Sequence, residues 1–273
     1  MSSLERVYRL LNLLSLDVVA GAVMSALFFA SVFQVEVRPV GLIALGLTVW
    51  IIYTADHLRD VSKIAVTAST ERHRFHQVHY KKLMVLALIA LGLNVVVIIF
   101  LKPQVLEWGV ALSLVVFAYM IAQGSLKFLK EIFIAVLYTC GVLLLSVPVT
   151  SVKLGTLHYM LIIQFGVTAL ANLIMFSWFD REFDQQDKRY SFVTKTGEPA
   201  TRFVIWLLLI LQLIMAFIQW IDGTLLIPAL IVGCMGVCLL LIFIYRAQLE
   251  KNDYYRVLGD AVFFLPSTYL LLQ

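Results

Sequence analysis

Tyr53-Thr54-Ala55-Asp56-His57-Leu58-Arg59-Asp60 and Asp180-Arg181-Glu182-Phe183-Asp184-Gln185-Gln186-Asp187 each close a long apolar run. Residues four apart on an α-helix project from one face, so each stretch presents a pair of carboxylates aimed the same way. Two such pairs in an apolar setting point to divalent metal and a polyanion, because a hard cation takes oxygen ligands and shares its remaining positions with phosphate and water.

The setting is a membrane. Hydrophobic residues make up 62% of the 273 residues and charged residues 14%, outside the range of soluble globular domains. An α-helix needs about 20 residues to cross a bilayer, and nine runs are candidates, near 8–33, 40–58, 82–101, 105–123, 131–150, 157–178, 203–221, 224–245 and 257–272. The last is short and contains Pro266, which kinks or ends a helix. The expectation is an all-α integral membrane bundle of about nine transmembrane helices, forming one domain over 1–273, with no soluble domain or low-complexity segment.

The loops between nine spans alternate sides. Of the 21 basic residues, only Arg38, Lys102 and Lys153 fall on one side, and the rest share the side that carries both acid pairs. Basic residues concentrate on cytoplasmic loops, so the N-terminus and the acid pairs are expected in the cytoplasm of a plasma or inner membrane and the C-terminus opposite. The first run exceeds a signal-peptide core and carries Asp17, which reads as a retained helix. Cys140, Cys234 and Cys238 lie within runs and lack metal-ligand spacing, consistent with packing.

A carboxylate at a helix end is costly against lipid and tolerable against a wet cavity. The same acids also read as interface residues, Asp60 pairing with Arg59 or Lys63 and Asp184 with Arg181 or Lys188. Recurrence of the pattern at two run ends on one side favours the metal reading. Asp17, inside the first run after Asn12 and Ser15, faces either an acceptor pocket or a structural partner. In Thr70-Glu71-Arg72-His73-Arg74-Phe75-His76-Gln77-Val78-His79 the histidines recur every third residue. A zinc site is one reading, and a short interfacial helix acting as a lid is the preferred one.

With these residues placed, the chain resembles the UbiA superfamily of intramembrane prenyltransferases, which has nine transmembrane helices and an Asp-rich motif after the second and sixth. Asp56 and Asp60 match the last two acids of the family's first motif, NDxxDxxxD, while Ile52 and Tyr53 stand where the leading Asn and Asp would be, so the likeness is to a divergent member. Asp180 and Asp184 match the second motif, with Asp187 about one turn further on. Lys127 resembles the family's lysine at the end of helix four, and Gln123 replaces the usual Tyr.

The resemblance implies Mg2+-dependent ionisation of an isoprenyl diphosphate and transfer of the prenyl group to an aromatic or other lipophilic acceptor. It makes Asp56, Asp60, Asp180, Asp184 and Asp187 metal ligands and adds Lys127 to the first four as catalytic. Arg59, Arg72, Arg74, Lys188 and Lys195, with Tyr53 and Asp17, become substrate contacts, although anionic headgroups of membrane lipids would also account for the basic residues. Aromatics such as Trp50, Tyr53, Tyr119, Tyr138, Phe176 and Trp178 are candidates to shield a carbocation. Two alternatives stay open, a membrane terpene cyclase of the same superfamily and a non-catalytic lipid-binding or transport relative. Nucleic acid is not an expected partner.

Overall fold

The computed structural model describes residues 3–64, 66–126, 129–187, 190–250 and 253–272. In chain order its helices are α1 Ser3–Leu13, α2 Leu16–Val32, α3 Pro39–Ser62, α4 Glu71–Val78, α5 Tyr80–Ile98, α6 Pro103–Leu126, α7 Lys130–Leu143, α8 Thr156–Phe179, α9 Arg181–Gln186, α10 Phe192–Thr196, α11 Glu198–Asp222, α12 Leu226–Ile244, α13 Arg246–Leu249, α14 Tyr254–Ala261 and α15 Ser267–Leu270. Backbone polar groups cannot be satisfied by lipid, so the long apolar runs fold as helices that bond internally. The protein is an all-α, multi-pass membrane protein.

Seven helices among the described residues are long and apolar enough to cross a membrane, or eight when α1 and α2 are taken as one bent span. The expected count of nine is therefore not reached, and the difference lies in the two terminal runs. The first bends by 78° between Leu13 and Leu16. Ser15 sits there at φ 55, a left-handed conformation that costs a residue bearing a Cβ about 1–2 kcal/mol, and the Trp50 indole donates to the Leu14 carbonyl at 3.1 Å. The last run is divided into α14, a 3-10 turn at Val262–Phe264 and α15. Pro266 lies at that final break, where its missing N–H prevents a continuous helix.

α8 is central and packs against α7, α11 and α12, while α3 packs against α2 and α5. α5 and α6 present mostly exposed apolar side chains, as lipid-facing outer helices do. In a bundle surrounded by hydrocarbon, buried polar side chains must bond across helices. Gln219 donates to the Gln164 side chain at 2.7 Å and Gln212 donates to the Val232 carbonyl at 2.5 Å, fastening α11 to α8 and α12.

Two glycines seat the C-terminal segment. A Cβ at Gly259 would stand 2.6 Å from both Phe176 Cε1 and Asn172 Oδ1, and one at Gly21 would stand 2.8 Å from Phe263 Cβ. α14 reaches α8 only because Gly259 has no side chain. Gly259→Val should destabilise the protein by about 1–3 kcal/mol through overpacking, seen as a lower thermal midpoint in detergent. Gly92, which faces open space, is the control, and Gly92→Ala should leave that midpoint unchanged or slightly raised.

Candidate active site

α2, α3, α4, α7, α8 and α14 surround a cavity of about 210 Å3. Its polar wall holds Asp56 and Asp60 from α3, Arg72 and His73 from α4, Lys130 and Glu131 from α7, Asp180 and Asp184 around the start of α9, and Arg256 and Asp260 from α14. Ile52 is one helical turn before Asp56, Ile134 one turn after Lys130, and Leu173 and Phe176 one to two turns before Asp180. Each of these helices therefore turns charge toward one end of the cavity and hydrocarbon toward its depth. The cavity brings Asp56, Asp60, Asp180 and Asp184 to one space.

Each pair meets a cation of the chain. Lys130 Nζ is 3.5 Å from Asp56 Oδ2 and 3.5 Å from Asp60 Oδ2. Asp180 accepts from the Arg256 guanidinium and from the Tyr255 hydroxyl, the latter at 2.5 Å. Burial opposes the Arg256 charge, but Asp180, Tyr255, Asp260 and Asp253 together outweigh it and raise its pKa above the ordinary value. Tyr255 is likewise raised, first by burial and then by Asp180. Asp184 is buried. Glu131 is 6% exposed, and its Oε1 accepts from the Phe192 N–H at 2.8 Å while Oε2 is buried without a hydrogen-bond partner.

α4 and its cap contribute Thr70, Arg72 and His73 to one side of the cavity. The Thr70 hydroxyl accepts from the His73 N–H at 3.3 Å and caps the helix. Arg72 donates to the Asn12 side-chain oxygen at 2.9 Å and lies 3.9 Å from Asp260, and Asn12 in turn donates to Asp17. Arg9 of α1 pairs with Glu71. Burial, followed by repulsion from Arg256, lowers the Arg72 pKa below the usual guanidinium value, and burial lowers that of His76. The His57 ring lies 4.7 Å from that of His76 and 6.2 Å from that of His73, so the loop histidines pack on α3. Arg72 and Arg256 also border a second cavity of about 470 Å3 between α1, α4 and α14.

The other expected contacts scatter. Tyr53 lines the cavity. Arg59 donates to the Met120 carbonyl of α6, Arg74 donates to the Ala68 and Ser69 carbonyls, and Lys195 is exposed on α10. Asp187 accepts from the Ser69 hydroxyl at 2.7 Å. None of these four lines the cavity. Asp17 is buried behind Asn12, and Lys127 and Lys188 lie outside the described residues. Of the aromatics, Tyr53, Tyr138 and Phe176 line the cavity, whereas Arg181 covers the Trp178 ring at 4.6 Å and Tyr119 stacks on Phe133. Lys130, Glu131, Arg256 and Asp260 went unnoticed in the sequence. Arg256 and Asp260 are four apart, the same spacing that marked the acid pairs, and Lys130-Glu131 opens an otherwise apolar run.

Among the described residues no three His, Cys, Asp or Glu side chains are grouped so as to hold a metal alone. Magnesium does not require that, since it binds one or two carboxylates and completes its shell with water and phosphate. Asp56 and Asp60 already share a positive group, and Asp56 Oδ1 is buried without a hydrogen-bond partner. This donor set fits a hard divalent cation such as magnesium. Asp180 fits less well, because its oxygens are engaged by Arg256 and Tyr255.

The fold and the cavity define a helical membrane protein with an acid-and-cation cluster above an apolar groove. No family model matches the chain, and no curated protein matches it in sequence. Solved structures do match in fold: a UbiA homologue from Archaeoglobus fulgidus bound to DMAPP and Mg2+, with a TM-score of 0.64, and the same source's homologue bound to GPP and Mg2+, with a TM-score of 0.66. Each is 11% identical and covers 94% of this chain, which in turn covers 98% and 99% of those chains. The chain has the UbiA fold.

Proposed function

We propose that the protein is a Mg2+-dependent intramembrane prenyltransferase that ionises an isoprenyl diphosphate and passes the prenyl group to an aromatic or other lipophilic acceptor. One observation carries this reading. A single cavity joins two carboxylate pairs, Lys130, Arg72 and Arg256 at one end to Ile52, Ile134, Leu173 and Phe263 in its depth, which suits a molecule that is a diphosphate at its head and hydrocarbon in its tail. The binding of DMAPP, GPP and Mg2+ by proteins of the same fold supports it.

Asp56 and Asp60 would hold the metal, which when bound neutralises charge developing on the diphosphate as it leaves. Lys130, Arg72 and Arg256 supply further positive charge at that end, where a partly dry cavity strengthens each interaction. Tyr53, Tyr138 and Phe176 line the cavity and would stabilise an allylic cation formed there. The apolar depth keeps water from that cation so that an acceptor captures it. The concentration of basic residues on the acid-motif side supports a cytoplasmic active end.

The test is pyrophosphate release from dimethylallyl, geranyl, farnesyl and geranylgeranyl diphosphates by purified protein, with and without Mg2+ and a mixture of lipophilic phenols. Metal-dependent release that requires the phenols is expected. Release without acceptor, yielding a terpene hydrocarbon or alcohol, would replace transfer with cyclisation. No release from any diphosphate would overturn the enzymatic reading.

A further inference from the structure

Transfer to a hydroxyl acceptor also requires a base, because the acceptor must lose its proton as it bonds to carbon. Besides the four motif acids, the described wall of the cavity holds two carboxylates, Glu131 and Asp260. Glu131 follows Lys130 at the charged end, and its Oε1 is held by the Phe192 N–H. Asp260 is placed differently. Arg256, Asp260 and Phe263 succeed one another at intervals of four and three residues, so they share one face, and all three line the cavity. Asp260 therefore lies between the guanidinium at the charged end and the ring in the apolar depth. The bond between a diphosphate oxygen and the first carbon of its chain would fall at that junction.

The carboxylate is held without being saturated. Among the described residues the donors that reach it are Asn12 Nδ2 at 3.5 Å and Arg72 at 3.9 Å, both on Oδ2, which leaves Oδ1 without a hydrogen bond. Gly259 beside it fixes its position, since the missing Cβ lets α14 press against Asn172 and Phe176. α14 lies outside the segments long and apolar enough to span a membrane. Burial, and then Asp17 across the Asn12 amide that both acids share, raise the Asp260 pKa to about 7 against the opposing pull of Arg72 and Arg256. A base is most effective when its pKa lies near the working pH.

We propose that Asp260 is the general base of the transfer reaction and takes the hydroxyl proton of the acceptor. This rests on the proposed prenyl transfer. The acceptor oxygen bonds to the first carbon of the prenyl group, and the bond from that carbon to the diphosphate breaks with its electron pair leaving on the diphosphate. The acceptor O–H bond breaks, and its proton passes to the Asp260 carboxylate. Water receives that proton after the products leave, which restores the base. The motif acids are poorly suited to the same task, because a carboxylate that holds a metal must stay deprotonated.

The experiment measures prenylation of a series of phenols, from unsubstituted phenol to 4-nitrophenol, by purified protein in detergent with geranyl diphosphate and saturating Mg2+. Asp260→Asn should transfer to phenol about 10^2-fold or more slowly than the wild type, as expected for loss of a general base. The deficit should shrink as the acceptor becomes more acidic and be small for 4-nitrophenol at a pH where it is already ionised, because a phenolate has no proton to give up. Asp260→Glu keeps a carboxylate and the charge opposite Arg72, so it should be slowed by a similar factor across the whole series, and it decides the matter alone if the asparagine variant does not fold. An equal deficit of Asp260→Asn on every phenol would reduce the residue to a structural role and overturn the proposal. An acidity-dependent deficit in Asp260→Glu would also overturn it, as would one in Glu131→Gln with none in Asp260→Asn. Absence of transfer to any phenol by the wild type would instead remove the transfer reading on which the assignment stands.

Discussion

Asp56→Asn should lower metal-dependent pyrophosphate release by about 10^2–10^3-fold, the loss typical of removing one charge-stabilising group from a preorganised site, while the protein stays folded. Asparagine keeps the shape of the side chain and removes its charge. Asp60 remains 3.5 Å from Lys130, so the lysine is not left as an isolated buried cation, and the thermal midpoint should change little. A variant that retains more than a tenth of wild-type release at saturating Mg2+ would exclude Asp56 from the metal site. Ile52 and Tyr53, which stand at the leading motif positions, cannot replace the lost charge.

Asp180→Ala should behave differently, losing stability as well as activity. Its carboxylate is the partner of Arg256 and of the Tyr255 hydroxyl, and the Arg256 side chain is 20% exposed. Truncating one member of a mostly buried ion pair costs about 3–5 kcal/mol, because the remaining charge has lost its partner and has no water to replace it. Arg256→Met should be destabilising for the converse reason. The double variant should lose about 2–3 kcal/mol less than the sum of the two single losses in a double-mutant cycle, while release stays abolished. Unfolding in mixed micelles with graded detergent denaturant measures all four proteins. Additive losses would mean that the pair contributes nothing to holding α14 against α9.

The contrast between these two aspartates could not be drawn from their motifs, which are alike in spacing and in position at the end of an apolar run. It depends on what stands opposite: a lysine from α7 in one case, an arginine and a tyrosine from α14 in the other. Several basic residues near the motifs behave in the same way. Arg59 neighbours Asp60 in sequence yet turns to the Met120 carbonyl, and Arg74 closes its own loop, whereas Arg72 two residues earlier reaches into the cavity wall.

The helices themselves were largely legible. Runs expected at 40–58, 157–178 and 224–245 appear as Pro39–Ser62, Thr156–Phe179 and Leu226–Ile244, since a bilayer leaves an apolar segment of that length little alternative to a helix. The terminal runs were not. The first is broken at Ser15, where backbone conformation departs from the helix within an uninterrupted pattern, and the last folds around Gly21 and Gly259, whose importance lies in contacts with Phe263, Asn172 and Phe176.

Composition and periodicity were enough to establish a membrane-embedded, all-helical chain with two carboxylate pairs presented from helix ends, because both properties are local: hydropathy acts along one segment, and a four-residue spacing acts along one helix face. Which cation meets which acid was settled by folding. Asp180 and Arg256 are 76 residues apart, Asp60 and Lys130 are 70 apart, and such pairs form only when the close approach of separate helices has decided which faces share a cavity.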